Sequence, residues 1–317
     1  MHLLGFRAMI WVTVRDNALE ALLDGLASIW PSPTAARAAR LGAQPGTAEH
    51  ARAYALDQFM TKVRFGSALG LAMPPLLGKD VLEIGCGNGG ITCYLACLGA
   101  RRVVGIDVNT TSVEYGRELA QLITRRQDRS LPIEFAEMDA GDMTFEPNSF
   151  DLVVAENVFE HFTDPAAVLR SAARVLRPGG RLLVPIFSSR WSKYGLHVKH
   201  GLRVPWANLI FPERVIVGAL RRRARRDPKL FEVYPGLRGN PERVRDIRRH
   251  RDLNDITYGE FRRLAELAGF KVETFHVHTT RLGSVLRRIV PTARDTRALD
   301  VLSRGAAAVL VKPEATS

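Results

Sequence analysis

From Lys79 onward, short apolar runs alternate with segments whose apolar residues recur at helical spacing. Strands are predicted over Asp80–Ile84, Arg102–Ile106, Ile133–Met138, Phe150–Ala155 and Arg181–Ile186. Helices are predicted between them, over Gly89–Leu98, Thr111–Arg126 and Pro165–Leu176. Strands and helices in this alternation build a parallel sheet covered on both faces. The helix at 165 has marked ends. Asp164 is placed to cap free N–H groups, Pro165 suits the first helical position, and Arg177-Pro178-Gly179-Gly180 stops it.

The flanks follow other patterns. Residues 1–77 read as helical, with Ala35 to Leu41 and Ala48 to Leu71 rich in Ala, Leu and Arg, and with Pro31, Pro33, Pro45 and Gly46 as breaks. After Phe187 the periodicity dissolves until about Asn254. A last helix is predicted over Thr257–Ala268, where Thr257 and Glu260 have the spacing of a capping box. Two late strands follow, Lys271–His278 and Ala306–Lys312. The expected organisation is therefore a helical extension (1–77), an α/β core (78–187), an insertion (188–254) and a completion of the core (255–317).

Between the first strand and the first helix lies Glu83-Ile84-Gly85-Cys86-Gly87-Asn88-Gly89-Gly90. Its glycines satisfy GxGxxG, a turn that lets a ligand approach the backbone at a helix start. Alone, that turn fits a dinucleotide and other adenosine cofactors equally. Glu83 separates them: a carboxylate disfavours a pyrophosphate neighbour and favours a cationic one. Asp107 ends the second strand and suits a pair of ribose hydroxyls, a role both cofactor classes share.

The chain here resembles the class I S-adenosylmethionine-dependent methyltransferases. The resemblance rests on Val81–Gly89, Val104–Asp107, Met138–Met143, Asn148–Val153 and Val175–Leu182, in the family's order and spacing. It implies a Rossmann-like, seven-stranded, mostly parallel sheet with helices on both faces and one antiparallel edge strand. It implies S-adenosyl-L-methionine as cofactor. The implied cofactor contacts are the turn residues Glu83, Gly85, Cys86, Gly87 and Gly89 at the methionine part, Asp107 at the ribose and Asp139 with Ala140 at the adenine, with Val108 and Glu156 as further contacts. The Glu160-His161 pair is similar to that of ubiquinone-pathway O-methyltransferases. In those an extra acid three residues before the Glu helps bind a divalent metal; Asn157 stands there, so no metal is expected. The turn Glu156–His161 lacks the Asn/Asp-Pro-Pro-aromatic motif of amino-group methyltransferases, which argues against that chemistry; a small-molecule acceptor methylated at oxygen is expected.

Methyl transfer needs alignment, exclusion of water and, for a hydroxyl, a base. Candidate bases are His161, His197 and His200. Trp191, Tyr194, Trp206 and Phe211 of the insertion are candidates for an apolar acceptor pocket, or for the insertion's own core.

Charge refines the partner. The chain carries +12. Residues 188–253 hold 17 Lys or Arg against 6 Asp or Glu, so the insertion carries nearly all of it. That surface suits an anionic or carrier-bound small-molecule acceptor, or peripheral contact with an anionic membrane. An RNA acceptor ranks lower because the densest runs, Arg221–Arg226 and Arg243–Arg251, lack stacking aromatics other than His250. A non-catalytic cofactor-binding partner protein is the third alternative. The cysteines, 86, 93 and 97, have no zinc-ligand spacing and are expected as buried free thiols. No apolar stretch reaches membrane-spanning length and no signal-peptide pattern opens the chain, so a cytoplasmic location is expected.

Overall fold

A computed structural model of the chain describes residues 16–26, 47–65, 74–193 except 129, 195, 202, 204–228, 253–280 and 300–314. A helix over 16–26 (α1) and the helix Ala48–Phe65 (α2) precede the sheet. Then come β1 (Asp80–Ile84), α3 (Gly90–Cys97), β2 (Arg102–Asp107), α4 (Thr110–Gln127), β3 (Ile133–Glu137) and β4 (Phe150–Val154). A 3-10 turn, Phe159–His161, leads to α5 (Pro165–Val175) and β5 (Leu176–Phe187). The insertion contributes α6 (Ala207–Ile210) and α7 (Glu213–Arg226), and α8 (Tyr258–Leu267), β6 (Lys271–Thr279) and β7 (Ser303–Val311) complete the sheet.

The seven strands stand in the order β3-β2-β1-β4-β5-β7-β6. The first five pair in parallel, and β7 runs antiparallel between β5 and β6. The antiparallel strand is thus one place in from the edge, because β6 adds outside it. Strand residues alternate between two cores, as a two-residue period requires. Leu82, Ile84, Val104 and Ile106 face the layer containing α5 and α8. Val81 and Val103 face the layer containing α2, α3 and α4.

The predicted caps form. Asp164 accepts from the Ala167 N–H at 3.0 Å, and Thr257 accepts from the Glu260 N–H at 3.1 Å. The Pro178-Gly179-Gly180 segment does more than stop α5, because β5 already begins at Leu176 and passes through it with Gly179 at φ 73°. Helix α7 lies where the sequence pattern had dissolved. Its apolar face, with Val215, Ile216, Ala219 and Leu220, packs on Leu23 of α1 in a third, smaller core.

That packing changes the account of the basic surface. Arg214 pairs with Asp16, Arg222 with Glu20, and Arg223 and Arg226 with Asp24. The run Arg221–Arg226 is therefore partly neutralised by acids of α1, four residues apart on one helix face. The run at 243–251 lies outside the described residues.

The glycine turn is braced from below by one aromatic ring. Phe135 of β3 is buried against Gly89, Gly105 and Gly116, where an added Cβ would come within 3.0 Å of its ring in each case. A glycine inside a helix ordinarily costs about 1 kcal/mol relative to alanine. At Gly116 the packing outweighs that gain, because an alanine Cβ would stand 2.8 Å from a phenyl carbon of the buried Phe135. Gly116→Ala is expected to destabilise the fold by about 1–3 kcal/mol, the usual cost of overpacking. Thermal unfolding checks this: the variant should melt lower than wild type, and adding Phe135→Leu should recover part of the loss. A higher melting temperature for Gly116→Ala alone contradicts the bracing role.

Candidate cofactor site

The C-terminal ends of β1, β2 and β3 and the turn after β4 meet in a cleft of about 600 Å³. Open α/β sheets bind ligands at this position, outside the carboxyl ends of the strands where the strand order reverses. The wall is built from Gly85, Asp107, Val108, Met138, Asp139, Ala140, Asp142, Val158, His161, Phe162 and Asp164, among others. Among the described residues it holds four carboxylates and one imidazole and neither lysine nor arginine.

Asp107 and Asp139 are each oriented by backbone. Asp107 Oδ2 accepts from the Gly87 N–H and Oδ1 from the Asn109 N–H, both at 2.9 Å. Each oxygen keeps lone pairs for a further donor. Asp139 Oδ1 accepts from the Gly141 N–H at 2.8 Å, an Asx turn that leaves its other oxygen exposed at the cleft. Val108 presents an apolar side chain that is 68% exposed beside them. An exposed valine between two oriented carboxylates suits a flat, aminated ring with a diol attached.

The turn itself leaves room for a ligand. Gly85, Gly87 and Gly89 all have positive φ, at 68°, 49° and 77°. At Gly87 an added Cβ would meet nothing within 4 Å, whereas at Gly85 it would run into Val158 and at Gly89 into Phe135. The space above Gly87 is thus open, and the residues present fit an adenosine-type cofactor with a small zwitterionic end.

Two residues expected to touch that end stand differently. Cys86 turns its side chain into the second core, at 5% exposure, so only its backbone belongs to the turn. Burial pushes its thiol above the usual range, as it does for Cys93. All three cysteines are free, and Cys97 is half-buried. Glu83 is 1% exposed and lies behind the turn rather than in the cleft wall, where it accepts from the Thr92 hydroxyl. Burial pushes its carboxyl up to about 8, against the Thr92 hydrogen bond, with the nearby Glu156 adding to the rise.

Glu156, just past β4, is paired with Lys62 of α2, whose ammonium lies 2.6 Å from both carboxylate oxygens. The N-terminal extension therefore reaches the site, which its sequence did not signal. Asn88 Nδ2 also bonds the Ala51 carbonyl of α2 at 3.2 Å, and Ala55 of α2 covers Gly90.

The Glu160-His161 pair splits. Glu160 points into the protein at 1% exposure and accepts from the Ser188 N–H at 3.3 Å. His161 lines the cleft. Their 3-10 turn is fixed by Asn254, whose side-chain amide donates to the Phe159 and Phe162 carbonyls at 2.7 and 2.8 Å. Below it Phe159 stacks edge-on against Phe187 and Phe261. Asn157, in place of a metal-ligating acid, adopts φ 57° and is exposed.

The insertion's aromatics serve its own structure. Trp206 donates its indole N–H to the Val301 carbonyl at 2.6 Å, Phe211 is buried in the α1–α7 core, and Trp191 lies under the Arg190 guanidinium. Tyr194, His197 and His200 lie outside the described residues. Asp142 and Asp164 join the cleft wall without having been expected there. Asp164 had been assigned only its capping role, which its side chain also performs.

Residues 82–184 match a family profile described as a methyltransferase domain. A ubiquinone biosynthesis O-methyltransferase of Neisseria meningitidis is 35% identical over 124 residues, 39% of this chain and 50% of that protein. An O-methyltransferase of Penicillium expansum, cnsE, is 32% identical over 124 residues, 38% of this chain and 42% of that protein. The chain thus spans about half the length of these curated relatives. A solved S-adenosylmethionine-dependent methyltransferase of Mesorhizobium loti superposes with a TM-score of 0.48 at 16% identity, over 78% of this chain and 97% of that one. The matched segment runs from β1 through the glycine turn and Asp107 to β5, and over it the chain is similar to a methyltransferase domain.

Proposed function

We propose that this chain transfers a methyl group from S-adenosylmethionine to an oxygen of a small-molecule acceptor. The observation that carries the cofactor assignment is the charge of the cleft wall: four carboxylates and, among the described residues, no basic side chain. A dinucleotide would bring a pyrophosphate to a turn beside which Lys62 is already paired with Glu156. A sulfonium donor brings positive charge, and supplies when bound an electrophilic methyl carbon. Asp107, held by Gly87 and Asn109, receives the ribose hydroxyls. Val108 and Met138 flank the adenine, while Asp139 and Ala140 accept from and donate to its edge. Glu156, with Glu83 behind it, faces the ammonium end.

Oxygen as the accepting atom is supported by His161, an imidazole that lines the cleft and is of the type that takes a hydroxyl proton. The O-methyltransferase names of the partial relatives support the same reading. The insertion's excess of positive charge supports an anionic or carrier-bound acceptor. RNA is less favoured, because four arginines of α7 are engaged by acids of α1.

Two measurements test the roles. Asp107→Ala removes a charged acceptor of two hydroxyl bonds, so calorimetry should show donor affinity falling roughly 10- to 100-fold, as lost charge-assisted hydrogen bonds do. His161→Ala should lower kcat by about 100-fold, the usual scale for a lost base, with donor affinity within about twofold of wild type. Unchanged turnover of the acceptor would remove His161 from the chemistry.

A third prediction uses Glu83. With its carboxyl pushed up to about 8, Glu83 is largely protonated at neutral pH. A cation at the turn favours the ionised form, so donor binding releases a proton and strengthens as pH rises toward about 8. Calorimetry in buffers of different ionisation enthalpy should detect that release in wild type and lose it in Glu83→Gln. Equal proton release in both proteins would contradict the assignment.

A further inference from the structure

The described lining of the cleft reaches Gly85 at one end, and the glycine turn continues from there toward Gly90 and α2. That far end lies beneath α2. Ala55 sits over Gly90, Asn88 is bonded to Ala51, and the Lys62 ammonium grips both oxygens of Glu156. The Lys62 and Glu156 side chains are 10% and 17% exposed. Lys62 therefore already holds, from within the chain, the position that a cationic ligand group would take beside Glu156.

The way α2 is held completes the picture. Within its described side chains only Ala55, Phe59 and Lys62 are buried, while Met60 and Val63 turn outward at 53% exposure each. Leu56 packs partly buried on the second core and the exposed Arg52 pairs with Glu118 of α4, so the Lys62–Glu156 pair is the better shielded of these two ion pairs. Breaking such a pair without a replacement strands a buried charge, whereas exchanging one ammonium for another leaves Glu156 paired throughout.

We propose that α2 is a lid over the amino-acid half of the donor site, latched by Lys62 on Glu156, and that Lys62 yields Glu156 to the donor's own ammonium. The adenosine half stays accessible with the latch closed, so docking of the adenosine precedes release of the latch. Lys62 is a positioning residue in this account. It acts on α2 and sets which ligands open it. The proposal rests on the donor assignment above.

The test uses the full chain and two ligands: S-adenosylmethionine, and methylthioadenosine, which lacks the amino-acid end. Association rates by surface plasmon resonance should rise at least fivefold for S-adenosylmethionine in Lys62→Met, while methylthioadenosine associates at the wild-type rate. Amide hydrogen exchange over residues 51–63 without ligand should quicken at least fivefold in the same variant. If Lys62→Met folds poorly, Lys62→Met with Glu156→Gln removes both charges and should show the same faster exchange of α2. An unchanged S-adenosylmethionine association rate, or α2 exchange equal to wild type in either variant, overturns the latch. Failure of S-adenosylmethionine to bind wild type at all overturns instead the donor assignment, and the ligand-free exchange still decides whether Lys62 holds α2.

Discussion

Two backbone N–H groups converge on the Asp107 carboxylate, one from Gly87 and one from Asn109. Through them the end of β2 is tied to the glycine turn on one side and to the start of α4 on the other. Asn109 in turn caps α4 by accepting from the Ser112 N–H at 3.0 Å. An acid that is itself aligned by the turn is a preformed acceptor, and no side chain must reorder to use it. The positive φ of Gly87 is what allows the turn to present its N–H to Asp107 while leaving the space above it open. Much of the remaining site takes its place from this junction: Val108 follows Asp107 directly, and β3 delivers Asp139 alongside because β3 pairs with β2 up to Asp107 and Glu137.

The sheet was legible in the sequence because its strands are bounded by residues with one physical purpose each. The predicted β1, Asp80–Ile84, is the observed strand, and α5 starts on its predicted aspartate and proline. The carboxylates at 107 and 139 were legible for the same reason, since strand ends in a parallel sheet all open on one side. Glu83 was misplaced by that logic. Strand alternation sends Leu82 and Ile84 to one face, and the acid between them goes to the other, under Thr92.

The parts that stayed hidden depend on distant pairing. Helix α7 scatters its apolar residues among arginines, and only α1, nearly 200 residues earlier, supplies both the carboxylates and the leucines that complete it. Lys62 is one lysine in an Ala-, Leu- and Arg-rich segment, and nothing local marks it as the partner of Glu156. Asn254 likewise gains meaning only when the chain returns to the Phe159–His161 turn. The antiparallel strand sits inside the edge because β6 and β7 order themselves by hydrogen bonding that periodicity does not encode.

The central claim is that an acidic, backbone-aligned cleft selects a cationic methyl donor over an anionic dinucleotide. Calorimetry of the unmodified chain with S-adenosylmethionine and, separately, with NAD tests it most directly. The account expects saturable one-to-one binding of S-adenosylmethionine and none of NAD over the same concentration range. Binding of NAD, with S-adenosylmethionine silent, would contradict it.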